Sequence, residues 1–141
     1  MSNSKKGILL DTHVWIWLFN GSTELSQKAI DSINQAGSKG KVFISAISVW
    51  ELSMLVAKNR VSLSQPIHQW VQDSLSQPGV NLSVISPAIA IESSFLPGDF
   101  YGDPADRIIV ATARVNDFIL STHDKKIIGY GEENYVICFK V

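Results

Sequence analysis

The chain has 141 residues, of which 45% are hydrophobic and 18% charged, with a formal net charge of −1. That composition excludes an intrinsically disordered chain, and the near-neutral balance excludes a general nucleic-acid-coating surface while leaving room for a local basic patch. Cys138 is the only cysteine. No intrachain disulfide can form, and without a CxxC or a His/Cys cluster a structural zinc site is not expected. The apolar run after Lys5 and Lys6 is cut by Asp11, too soon for a signal-peptide core, and no stretch approaches the length of a membrane span. A single domain over residues 1–141, placed in the cytoplasm and away from membranes, is the expectation.

In chain order, residues 7–11 read as a strand and 12–20 (THVWIWLFN) as a helix that follows without a gap. A helix over 26–37 is closed by Gly37, and KVFIS (41–45) is a short β-rich strand. AISVWELSMLVAKNR (46–60) is strongly periodic and helical, and 64–79 is a further helix stopped by Pro78-Gly79. VNLSVI (80–85) is a third strand, 87–96 a helix opened by a proline, and 97–102 (PGDFYG) a loop. DPADRIIVATARVND (103–117) is a helix with a clear start, FILST (118–122) a fourth strand, DKKIIGYG a helical turn and YVICFKV a fifth strand. Strands alternating with helices predict an α/β fold with a largely parallel sheet covered on both faces. In such sheets ligands gather at the carboxyl ends of the strands.

Four carboxylates stand out against that frame. Asp11 ends the first strand, and Asp124 follows the fourth by two residues. Glu51 lies on a helical stripe with Ile47, Trp50, Met54 and Leu55, an apolar face that should turn to the core. Asp106 shares a helical face with Ile109, Val110 and Ala113. Each acid has a structural explanation taken singly. Asp11 and Asp124 can cap the helices that follow them, Asp106 favours a helix dipole, and Glu51 can reach water or an arginine. Asp103 is well explained as the N-cap before Pro104. Together, however, acids gathered at one sheet edge would repel and desolvate one another unless a divalent cation joined them. An all-carboxylate set suits magnesium or manganese, and such sites act on phosphate esters.

The segments GILLDTHVWIWL, ISVWEL, DPADRIIVATA and ILSTHD resemble, in order, the four acidic motifs of PIN domains. They are most similar to the toxin nucleases of bacterial VapBC-type toxin–antitoxin pairs, and the likeness runs from about residue 7 to the C-terminus. It implies a three-layer α/β/α sandwich around a mainly parallel sheet of four to five strands. It also implies Mg²⁺ or Mn²⁺ dependence, endonucleolytic hydrolysis of RNA to 5′-phosphate and 3′-hydroxyl ends, a homodimer, and inhibition by a small antitoxin. The family's metal-binding acids match Asp11, Glu51, Asp106 and Asp124. In that reading Asp11 and Asp106 would take the main ion, with Glu51 and Asp124 completing the pocket through bound water or a second ion. Thr12 matches the hydroxyl residue beside the first acid.

The remaining chemistry-bearing residues have plainer readings. Trp15, Trp17, Trp50 and Trp70 fall in helices and suit core or dimer packing, with base stacking a lesser reading. His13 and His123 flank acids, and His68 suits the surface. Lys58, Arg60, Arg107, Arg114, Lys125 and Lys126 are candidates for RNA contact, and Arg107 for holding a phosphate or an acid. A haloacid-dehalogenase-type phosphatase needs a second aspartate where His13 stands, and a signalling receiver needs an acceptor aspartate after KVFIS. A catalytically silent PIN module that binds RNA or a protein partner is the competing reading within the family.

Overall fold

The computed structural model describes residues 6–141, so Lys5 and the chain before it lie outside the described residues. In chain order the elements are β1 (Ile8–Leu10), α1 (Thr12–Asn20), α2 (Gln27–Ser38), β2 (Val42–Ser45), α3 (Ala46–Ala57), α4 (Ile67–Leu75), β3 (Val80–Ser83), α5 (Pro87–Ser94), α6 (Pro104–Asn116), β4 (Ile119–Thr122), α7 (Lys125–Glu132) and β5 (Ile137–Lys140). The five strands form one sheet in the order β3-β2-β1-β4-β5, and every pairing is parallel. Leu10 pairs with Ile44 on one side and Ser121 on the other, and the Asp11 N–H extends the ladder to the Ser121 carbonyl at 2.9 Å.

The period of two along the strands separates two cores. Leu9, Phe43 and Leu120 face one side, where Ile89, Ile109, Val110, Ile127 and Tyr130 from α5, α6 and α7 cover them. Leu10, Val42 and Ile44 face the other, under Val14, Trp15, Ile33, Leu52 and Trp70 from α1 to α4. Helices on both faces of a five-stranded sheet make the expected α/β/α sandwich. Among the described residues, no helix is long and apolar enough to cross a membrane.

The strand order reverses at β1. The chain winds one way through β1, β2 and β3, then the other way through β4 and β5. Helices leaving the carboxyl ends of β1 and β4 therefore diverge and open a crevice between them, the place where open α/β sheets bind ligands.

Three expectations shift. The helix read over 64–79 is shorter, because Pro66 sits at its N-cap without a side-chain cap bond and Ser76 closes it. The helix read over 46–60 ends at Ala57, with Asn59 in the left-handed region at φ 57°. Its most buried residues are Ser48 and Leu52, whereas Trp50 is 56% exposed. The stripe of Ile47, Trp50, Glu51, Met54 and Leu55 therefore runs along the edge of the core face of α3: Ile47 and Leu55 pack against the core while Trp50 turns outward. Ser48 is buried there because its hydroxyl pairs with Thr12, so no apolar residue is needed at that position.

Candidate active site

Asp11 is held from two directions. It is the N-cap of α1, and its Oδ1 accepts from the Thr12 N–H at 2.8 Å. Its Oδ2 accepts from the Thr122 hydroxyl at 2.8 Å. Thr122 Oγ1 in turn accepts from the Asp124 N–H at 3.0 Å, tying the end of β1 to the turn after β4. Asp124 caps α7, its Oδ1 accepting from the amides of Lys126 and Ile127 at 2.8 and 3.3 Å. The capping explanations for Asp11 and Asp124 are therefore correct, and both side chains also line the crevice. A cap uses one or two lone pairs of a carboxylate and leaves others free.

Glu51 reaches the same place from α3. The Thr12 hydroxyl donates to Glu51 Oε1 at 2.5 Å, and Thr12 Oγ1 lies 2.8 Å from Ser48 Oγ. With the Thr12 proton committed to Glu51, Ser48 donates to Thr12, and a chain of three side chains fixes the carboxylate. Asp106 projects from the first turn of α6, whose cap Asp103 accepts the Asp106 N–H at 2.9 Å.

Asp11, Glu51, Asp103, Asp106 and Asp124 all line one cavity of about 430 Å³, together with His13, Trp17, His123 and Lys126. Glu51, Asp103 and Asp106 form its tightest group, each offering a carboxylate oxygen within 4.8 Å of the others. Asp103 thus caps a helix and joins the acidic cluster at once. Sequence reasoning gave it only the first role, because a cap and a ligand look alike in one dimension.

The crowding shows in the acid equilibria. Burial, with smaller contributions from Asp103, Asp124, Asp11 and Glu51, pushes the Asp106 carboxyl up to about 7. Glu51 is raised, chiefly by burial, against the opposing hydrogen bond from Thr12. Asp11, only 7% exposed, is raised by burial despite its bonds from Thr122 and Thr12. Like charges pressed into one partly dry cavity favour the neutral forms, and a bound cation reverses that preference.

Two other expectations are corrected. Arg107 does not face the acids: its Nε and Nη1 donate to the carbonyls of Ser93 and Phe100 at 2.8 and 2.7 Å, which anchors the loop before α6. Arg114 pairs with Glu92 at 2.7 Å and donates to the Tyr135 carbonyl, so it is committed to structure. Lys126 is the basic candidate that lines the cavity, and Lys58, Arg60 and Lys125 are exposed outside it. Two residues escaped sequence reasoning. Thr122 mirrors Thr12 as a hydroxyl beside an acid-bearing strand end. Gly102 leaves room for α6, since a Cβ there would lie 2.4 Å from the Phe100 ring and 2.8 Å from Asp106 Cβ.

Residues 8–133 match the PIN domain family. The chain belongs to the PIN domain family. A relative, Ribonuclease VapC22 of Mycobacterium tuberculosis, is 35% identical over 120 residues, covering 85% of this chain and 88% of the relative. The VapBC2 structure from Rickettsia felis, bound to a DNA fragment from its promoter, superposes with a TM-score of 0.70 at 16% identity, covering 94% of this chain and 97% of that one. A toxin–antitoxin complex from Klebsiella pneumoniae gives a TM-score of 0.59 at 26% identity, with 87% and 92% covered. The five acids that line the cavity include the four that the sequence motifs single out.

Proposed function

We propose that this PIN-domain protein is a metal-dependent endoribonuclease, the toxin of a toxin–antitoxin pair, acting in the cytoplasm. The observation that carries the reading is the gathering of Asp11, Glu51, Asp103, Asp106 and Asp124 from four separate segments into one cavity at the switch point. The ribonuclease relative supports the RNA substrate, and the toxin–antitoxin neighbour from Klebsiella supports an antitoxin partner.

The donor set fits a hard divalent cation: carboxylate oxygens alone, three of them within 4.8 Å of one another, with raised proton affinities that a cation would relieve. Asp11, Asp106, Glu51 and Asp124 would hold Mg²⁺ or Mn²⁺, with Asp103 beside them. Such an ion, when bound, lowers the pKa of water and neutralises charge developing on a phosphate. The protein's own part is to fix and discharge the site. Thr122 and the Thr12 amide hold Asp11 in one orientation, the Ser48–Thr12 chain holds Glu51, and Lys126 supplies a positive charge for a phosphate oxygen at the rim. Hydrolysis by water with departure of the ribose 3′ oxygen would leave 5′-phosphate and 3′-hydroxyl ends.

Self-association as a homodimer belongs to the same reading. Leu82, Val84, Ile85, Ile91 and Phe95, in β3, the segment after it, α5 and its C-cap, are large, exposed and apolar, the kind of surface a partner covers. The test of the activity is cleavage of total cellular RNA by wild type and Asp106→Asn, with Mg²⁺, with Mn²⁺ and with chelator. Discrete metal-dependent cuts absent from the variant are expected. Equal cutting by the variant, or cutting in chelator, would overturn the assignment. Metal binding without cleavage of any RNA would favour the silent module.

A further inference from the structure

The acids occupy one wall of the cavity, and a second wall is aromatic. His13 and Trp17 stand one helical turn apart on α1 with ring centroids 5.9 Å apart, and His123 meets Trp17 edge-on at 5.4 Å. Trp15 and Trp70 are buried in the core, but Trp17 is only half-buried and lines the polar cavity, and both histidines are exposed. His123 Nδ1 lies 3.2 Å from the Val141 carbonyl, which tethers that ring. Trp17 packs part of its indole against the core beneath it and leaves the rest, between two imidazoles, on the cavity beside the carboxylates.

We propose that His13, Trp17 and His123 form a stacking shelf for an unpaired nucleobase one nucleotide from the phosphate held by the acids. The inference rests on the nuclease reading and deepens it by assigning the side chains of this chain that hold a base beside the cut. Three observations support it. The cavity, at about 430 Å³, has room for a nucleotide and not merely a phosphate. Unpaired bases are recognised by stacking on aromatic faces, whatever their identity. Lys126 on the same rim supplies a positive charge for a phosphate of the same nucleotide.

The test uses one short unstructured RNA that the protein cleaves, and the same RNA with an abasic ribose at each position in turn. Wild type, Trp17→Ala, Trp17→Phe and His123→Ala are compared, each checked for an unchanged circular dichroism spectrum. One abasic position beside the cut is expected to raise KM about tenfold with kcat little changed. Trp17→Ala should raise KM by a similar factor and then show no further loss on that abasic substrate. Trp17→Phe, which keeps a ring face, should retain most of the affinity and supplies the test if the alanine variant fails to fold. Additive losses, or no abasic position that matters, would overturn the shelf. If wild type cleaves no RNA, the nuclease reading fails and binding decides the shelf separately. Quenching of the fluorescence lost in Trp17→Phe, by the intact oligonucleotide and not by the abasic one, would support it. Equal response to both, or quenching only by an arginine-rich peptide, would overturn it.

Discussion

Asp106→Asn should make the metal-free protein more stable while it abolishes metal-dependent activity. The carboxyl is raised from 3.8 to about 7, so the folded protein binds its proton more tightly than the unfolded chain does. Between those values the folded state carries more protons, and stability falls as pH rises; above about 7 the whole penalty is present. At about 1.4 kcal/mol per tenfold change, the ceiling is about 4 kcal/mol. The group is only half-buried, and solvent screening reduces the effect to about 1–2 kcal/mol. Asparagine has nearly the same shape and no charge to repel. For a chain of this size the gain at pH 8 in chelator should be about 3–7 °C in Tm. It should vanish near pH 4, where Asp106 is protonated in wild type. Saturating Mn²⁺ should reverse the order, because wild type gains about 2.7 kcal/mol at one hundred times its Kd. Differential scanning fluorimetry of both proteins at pH 4 and 8, with and without Mn²⁺, measures all four values. A variant no more stable than wild type at pH 8 in chelator, or a gain that persists at pH 4, would refute the electrostatic reasoning.

Thr122→Val removes the donor to Asp11 and the acceptor for the Asp124 amide; calorimetry should show Mn²⁺ affinity falling by about tenfold or more, with its pH midpoint moved upward as Asp11 holds its proton more tightly. Asp103→Asn keeps a good N-cap and removes a charge, so the metal-free Tm should hold while Mn²⁺ affinity drops about tenfold; an unchanged affinity would confine Asp103 to capping. Gly102→Ala drives a methyl group into the buried Phe100 ring and the base of Asp106, and chemical denaturation should record a loss of about 1–3 kcal/mol together with weaker metal binding.

The layers and the parallel sheet follow from features visible in one dimension, whereas the strand order does not. Strands 7–11, 41–45 and 118–122 are short apolar runs separated by amphipathic helices, and parallel pairing needs such crossovers. The acids at 11, 51 and 106 are visible because each falls in an apolar pattern, and Asp124 because it follows a strand end. What stayed hidden depends on pairings across the fold. Ser48 faces the core because Thr12 meets it there, which a periodicity count scores as a polar position. Arg107 lies next to Asp106 in sequence, yet it turns to the carbonyls of Ser93 in α5 and Phe100 in the loop before α6, and nothing local announces that direction. The aromatic wall joins α1 to the turn after β4, so His13 and Trp17 acquire His123 only when β1 and β4 pair.

The most direct measurement is a calorimetric titration of Mn²⁺ into chelator-treated protein at pH 6 and 8, comparing wild type with Asp11→Asn. A carboxylate site should bind more tightly at pH 8 and release protons on binding at pH 6, since Asp106 must give up its own. The site should be lost in the variant, whose fold is otherwise kept. Affinity independent of pH, or a site that survives Asp11→Asn, would contradict the assignment of this cavity as the metal centre of the protein.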